Sequence, residues 1–230
     1  AFFEGVWDPQ EHIVEPFEIP LEWKRWKSYD HGYKSPAGCV WFTQDYDGII
    51  YIYRERYWSS KPNKGSESPI EDIARDINDA EDVERKLKIK FRSNVADSAI
   101  FMRDGRHKSV ADVFADYGVM WESSAKGPGS RVQGLQEIVD RLANNSLKVF
   151  STCKHWLRTV PSLPADTKKI EDIDTKAEDH LFDATRYGLM LRRARSIKPK
   201  PKDKGPKPFT MEWLDKIDEL YERDDPWPII

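Results

Sequence analysis

Strand-like apolar patterns dominate the first quarter of the chain and helical periodicity the rest. Residues 25–30 read as a short strand, residues 39–43 (Cys-Val-Trp-Phe-Thr) as a second, and residues 49–58 as a third, rich in β-branched and aromatic side chains. Turn chemistry at Gln44-Asp45-Tyr46-Asp47-Gly48 joins the last two, so the three predict an antiparallel meander. Ser68-Pro69-Ile70-Glu71 predicts a helix start, with Ser68 as N-cap, Pro69 at the first helical position and Glu71 closing a capping box. Ile70, Ile73, Ala74 and Ile77 form its apolar stripe. Residues 86–91 alternate Lys with Leu, Ile and Phe, the period of a strand wet on one face.

Further along, residues 109–117 predict a short helix, 119–122 a short strand, and 123–130 a polar loop containing Lys126. Residues 131–143 predict an amphipathic helix with Val132, Leu135, Ile138, Val139 and Leu142 on one face. Residues 147–150 read as a strand, 153–160 as a helix stopping before Pro161, and 180–195 as a strong helix. Residues 1–24 carry Trp, Phe, Pro and Glu without a period and read as an irregular lead-in that packs aromatics on the core. Residues 197–209 alternate Lys and Pro, which predicts an extended linker. Residues 210–223 predict a last amphipathic helix carrying Met211, Leu214, Ile217 and Leu220. A meander followed by alternating helices and strands implies an α/β or α+β domain, a mixed sheet with helices on both faces.

Composition narrows the function classes. The 230 residues suffice for one sizeable domain with appendages. With 37 Lys and Arg against 40 Asp and Glu, the chain is not a uniformly basic nucleic-acid binder, so a DNA contact would need a local basic face. No apolar run approaches the ~18–20 residues of a membrane span, and no signal peptide is visible. Cys39 and Cys153 form no metal-ligand pair by spacing and read as reduced thiols of an intracellular protein.

Three carboxylates stand out. Asp30 ends a strand and precedes His31-Gly32, where glycine lets the backbone turn away; a turn-forming Asp is the plainer alternative. Asp97 follows a strand in Asn94-Val95-Ala96-Asp97-Ser98-Ala99, where an N-cap or Asx turn is the common use. In Asp179-His180-Leu181-Phe182-Asp183, His180 and Asp183 share a helix face while Asp179 suits a cap. Asp183 lies among apolar neighbours and needs a partner, a metal or Arg186. Carboxylates gathered from distant segments suit hard cations such as Mg2+ or Mn2+. Lys126 and Arg131 flank a Gly-Pro-Gly loop able to present cations to phosphate.

These segments, in this order, resemble the C-terminal nuclease domain of large terminase subunits from tailed double-stranded DNA bacteriophages. The most specific stretch is His180-Leu181-Phe182-Asp183-Ala184-Thr185-Arg186-Tyr187, similar to a family pattern His-x-x-Asp-Ala-x-Arg-Tyr. The resemblance spans residues 26–193. It implies an RNase H-like α/β fold, a mixed β-sheet flanked by helices on both faces, and a metal-dependent endonuclease that cuts concatemeric viral DNA during packaging. It implies that Asp30 bridges two Mg2+ or Mn2+ ions, that Asp97 and Asp183 each hold one, and that His180 ligates or hydrogen-bonds at the second. Many relatives carry an acid where His180 stands, so this site is less anionic. Lys126 and Arg131 would contact phosphates, with little sequence preference.

No Gly-x-x-x-x-Gly-Lys-[Ser/Thr] phosphate loop is present, so the ATPase motor of the family is absent from this chain. Residues 1–24 would lead from that motor, 25–196 would be the nuclease domain, 197–209 the linker, and 210–230 the last helix and tail. Expected partners are double-stranded DNA and, for the full-length protein, a portal protein and the small terminase subunit, in the host cytoplasm rather than the mature virion and without a membrane. Another RNase H-like enzyme, such as a resolvase or transposase core, or a non-catalytic interaction module, is the alternative reading.

Overall fold

A computed structural model describes residues 1–192, apart from 104, 106, 125, 126, 128, 168, 170 and 171, together with Met211. The expected linker over 197–209 and the helix over 210–223 lie outside the described residues, Met211 excepted. The described elements are α1 (Pro9–His12), β1 (Ile13–Val14), β2 (Lys24–Asp30), β3 (Ala37–Gln44), β4 (Ile50–Lys61), β5 (Lys64–Gly65), α2 (Ile70–Ala80), α3 (Asp82–Lys86), β6 (Phe91–Ala96), α4 (Val110–Asp116), β7 (Glu122–Ser123), α5 (Ser130–Ala143), β8 (Leu147–Phe150), α6 (Lys154–Thr159) and α7 (His180–Arg192).

The sheet runs β1-β8-β4-β3-β2-β6-β7, with β5 paired to the end of β4. β2, β3 and β4 form the predicted antiparallel meander, while β6 joins β2, and β8 joins β4, in parallel. β2 is buried along both faces, and its alternation decides what meets what. Trp26 and Ser28 face α7: the Trp26 indole donates to the Gly188 carbonyl at 3.0 Å and the Ser28 hydroxyl to the Ala184 carbonyl at 2.6 Å. Lys27 and Arg25 face the opposite layer, where Glu81 and Glu84 receive them at 2.6 and 3.6 Å. Tyr29, on that same face, packs edge-to-face on Phe114 of α4. Helices thus cover both faces, as the pattern predicts.

Several local expectations are corrected. Residues 86–91 are not a strand: Lys86 ends α3, Lys88 adopts φ 56°, and the strand begins at Phe91. The Ile89 amide donates to the Glu84 carbonyl at 2.8 Å and the Lys88 amide to Arg85 at 3.0 Å, a Schellman C-cap with lysine in place of glycine. The short strand lies at Glu122–Ser123, displaced from the expected 119–122, because Val119 is spent closing α4 by its bond to the Phe114 carbonyl. Pro69 rather than Ser68 occupies the N-cap of α2, without a side-chain cap, and the Ser68 hydroxyl pairs with Ser66. Val132, expected on the buried face of α5, is exposed. Residues 1–24 do pack aromatics on the core, Phe3 being fully buried, but they are not irregular throughout, since α1 forms and β1 extends the sheet beside β8.

The helix that completes the site, α7, lies against β2 and β3 through small residues. A Cβ on Gly188 would stand 2.5 Å from the Phe42 ring and 3.0 Å from the Ser28 hydroxyl oxygen. Gly188→Ala is therefore expected to destabilise the fold by about 1–3 kcal/mol through overpacking, read as a lowered urea midpoint at unchanged m-value.

Candidate active site

Asp30 is the last residue of β2, and Asp97 follows the last residue of the parallel neighbour β6. The two chain ends are tied directly, since the Asp97 amide donates to the Tyr29 carbonyl at 3.0 Å. The first turn of α7 supplies His180 and Asp183. The parallel pairing of β2 with β6 and the seat of α7 on β2 thus bring all three expected carboxylates to one end of the sheet.

Asp30 is 6% exposed. Its carboxyl is pushed up to about 7, first by burial and then by Asp183 and Asp97, against the lowering effect of His180. His180 Nδ1 lies 3.3 Å from Asp30 Oδ2, and its Nε2 lies 3.3 Å from the side-chain oxygen of Asn63. The imidazole, although burial opposes its charge, is held above its ordinary pKa by Asp30, Asp179 and Asp183. Tyr187 accepts through its hydroxyl from Arg186 at 3.2 Å. Its buried phenol is raised by burial and then by Asp30, Asp183 and Asp97 together, with Arg186 opposing. Asp97 also acts as the expected N-cap, accepting from the Ala99 amide at 3.1 Å.

Asp183 has the two-sided role its apolar setting required. Arg131 Nη1 donates to its oxygens at 3.0 and 3.1 Å, and Arg186 Nε donates to Oδ1. Arg131 also donates to Asp179 at 2.8 Å and Asp172 at 3.1 Å. Its guanidinium is therefore filled by three carboxylates and stacked 5.5 Å from the Phe182 ring centre. Arg131 thus clamps α5 to α7 while its side chain stays partly exposed. Lys126 lies outside the described residues. Asp172, Asn63 and Tyr187 are site neighbours that the sequence reading missed. Asn63 is far away along the chain and Asp172 precedes the quoted stretch with no motif around it, whereas Tyr187 stood in that stretch without a role.

The donor set suits a hard divalent cation in chemistry: Asp30, Asp97 and Asp183 are oxygen donors, and burial together with like charge leaves Asp30 incompletely neutralised. Among the described residues, no group of three or more His, Cys, Asp or Glu side chains stands placed to hold a metal ion, and Asp183 is turned to guanidinium groups.

No protein-family profile matches the chain. The large terminase subunit of Salmonella phage P22 is 26% identical over 208 residues, covering 85% of this chain and 38% of that protein. The solved P22 large terminase nuclease domain superposes with a TM-score of 0.61 at 21% identity, covering 85% of this chain and 94% of that domain. The chain has the RNase H-like fold of a terminase nuclease domain. A more distant terminase nuclease, from thermophilic phage G20c, superposes with a TM-score of 0.55 at 10% identity over 83% of this chain and 96% of that one; it was solved with bound magnesium, and also with cobalt and with zinc. The chain spans 38% of the length of the P22 relative, so the activity of a whole terminase is a separate matter.

Two stability predictions follow from the charges. The carboxyl of Asp30 is raised on folding, so the fold carries no penalty from it below about pH 4 and the full penalty above about pH 7. Asp30→Asn, in EDTA, is expected to gain roughly 1–3 kcal/mol over the parent at pH 8 and nothing at pH 4, measured by urea unfolding at both pH values. Arg131→Met leaves three half-buried carboxylates without their common cation, and is expected to lose about 3 kcal/mol at pH 7 by the same measurement.

Proposed function

We propose that this chain is the nuclease part of a terminase large subunit and hydrolyses phosphodiester bonds of double-stranded viral DNA with the aid of divalent cations. The observation that carries this reading is the placement of Asp30, Asp97 and Asp183 at one end of the sheet, where the Asp97 amide bonds the Tyr29 carbonyl of the parallel neighbour and His180 of α7 meets Asp30. The likeness to the P22 terminase in sequence and to its nuclease domain in fold supports it. That the G20c nuclease binds magnesium, cobalt and zinc supports a divalent-cation requirement.

In this reading Asp30, Asp97, Asp183 and His180 would hold two Mg2+ or Mn2+ ions, with Asp30 shared between them. When bound, such ions supply an activated water and neutralise charge on the departing oxygen. The chain's own residues prepare that chemistry. Asp30 is held deprotonation-poised near neutrality by burial, and His180 fixes its Oδ2 by a hydrogen bond. Arg131 and Arg186 fix the rotamer of Asp183 in the first turn of α7. The substrate is double-stranded DNA cut with little sequence preference, since phosphate contacts position a strand without reading its bases. The full-length protein would work with a portal protein and a small terminase subunit in the host cytoplasm.

A non-catalytic module would use the same acids only as caps and ion-pair partners, roles that Asp97 and Asp183 do fill. Cleavage of supercoiled plasmid separates the two. The parent chain is expected to nick and linearise it in Mn2+ or Mg2+ and to leave it intact in EDTA. Asp30→Asn should lose at least about 100-fold in rate while melting no earlier than the parent. A folded parent chain that cuts with neither metal overturns the nuclease reading.

A further inference from the structure

The tip of the β4–β5 hairpin reaches the site, and nothing in the catalytic reading uses it. β4 runs on past the sheet to Lys61, turns through Pro62-Asn63, and returns as β5 from Lys64. Proline followed by a residue at φ 53° is the order a type II turn favours. Asn63 then makes two bonds. Its Nδ2 donates to the Lys176 carbonyl at 3.0 Å, which leaves its side-chain oxygen facing His180 Nε2 at 3.3 Å. His180 in turn meets Asp30, so the hairpin tip is two side chains from the central carboxylate.

The tip is also pinned from behind. The Gly65 amide donates to the Lys34 carbonyl at 2.8 Å, and a Cβ on Gly65 would fall 2.0 Å from the Tyr33 carbonyl oxygen. The hairpin and the loop after β2 are thus in backbone contact, with no room to slide.

Charge is what this geometry leaves unexplained. Lys61 and Lys64 are direct cross-strand partners, and like charges opposite each other disfavour a ladder. Lys34 and Lys176, the residues that receive the hairpin, add two more cations. All four are exposed, and none forms an ion pair among the described residues. In contrast, Arg54, Arg56, Arg85, Arg103, Arg141 and Arg158 all have carboxylate partners.

We propose that Lys61 and Lys64 at the hairpin tip, with Lys34 and Lys176 beside it, form a phosphate-backbone platform that holds a DNA strand against the Asp30–His180 end of the site. The assignment rests on the nuclease reading and replaces Arg131, whose guanidinium is occupied, as a source of phosphate contacts. A phosphodiester backbone satisfies the uncompensated cations, and the Asn63–His180 contact sets the held strand beside the carboxylates.

Binding of a fluorescein-labelled duplex to the full chain, in EDTA so that nothing is cut, tests this across a salt series. Lys61→Ala/Lys64→Ala is compared with Lys88→Ala/Lys90→Ala. The latter pair lies before the start of β6, about 20 Å along the strand from its Asp97 end. Each lost phosphate contact flattens the slope of log affinity against log salt by about 0.9, so the hairpin pair should flatten it by about 1.8 and weaken binding at least about five-fold at low salt. The control pair should leave both unchanged, and both variants should melt like the parent. Hairpin variants that keep the parental slope and plasmid cleavage rate overturn the platform and leave the nuclease reading standing. A parent chain that neither binds duplex nor cuts plasmid overturns both.

Discussion

The close seat of α7 on β2 and β3 is the contact on which the site depends. Gly188 brings the helix within touching distance of Phe42 and Ser28, and a second approach occurs where Gly38 faces Leu181. Two bonds from β2 side chains to helix carbonyls, Trp26 to Gly188 and Ser28 to Ala184, then fix both the rotation and the axial position of the helix. Those positions decide where His180 and Asp183 stand, because the first turn of α7 overhangs the end of the strand that carries Asp30. An α-helix advances 1.5 Å per residue, so a shift of one residue would take His180 out of hydrogen-bonding reach of Asp30. The site is therefore built by backbone proximity that only small residues permit, before any charge is considered.

β2 shows how differently the fold treats charge on its two faces. On one face Lys27 and Arg25 are almost fully buried, yet each meets a glutamate from the α2–α3 segment, and Arg54 and the Trp41 indole add further bonds to the same glutamates. Those charges are compensated, as buried ions must be. On the other face Asp30 is equally buried, and its hydrogen bond from His180 does not outweigh burial and two neighbouring carboxylates. One strand thus carries a neutralised structural layer on one side and an excess of negative charge on the other. The excess is a localised deficit of cation, which is what a divalent ion would fill.

How much of this was legible in the chain depends on the range of the interaction. The meander, α4, α5, β8 and the start of α7 follow from periodicity and turn residues, which act over a few positions. Asp30, Asp97 and Asp183 each sit in a short, typical local setting, and the fold brings all three to one end of the sheet. The Lys-rich alternation at 86–91 misled because a lysine took the left-handed C-cap position usually given to glycine, which converted a strand-like pattern into the end of α3. The ion pairs of Arg131 were not legible because its partners Asp172, Asp179 and Asp183 lie about 40–50 residues away, and nothing near it in sequence points to them. Asn63 is invisible for the same reason, since its role exists only once the hairpin of β4 and β5 reaches His180.

Arg131 also links the two halves of the site. It rises from the first turn of α5 and holds Asp183 and Asp179 on α7, together with Asp172 on the segment leading to α7. Asp183 serves as a structural anion for α5, and in the proposed nuclease it would also be an oxygen donor for a cation beside Asp30. A carboxylate has few lone-pair positions, and two guanidinium groups already use those of Asp183. An ion held there would share or displace an arginine, so the grip of α5 on α7 and any affinity for metal would draw on the same two oxygens. Among the described residues Asp30 is hydrogen-bonded by His180 rather than by an arginine, and burial raises its carboxyl. The two acids thus differ in their surroundings: Asp183 is held by two arginines, whereas Asp30 meets a histidine and is raised by burial and neighbouring carboxylates.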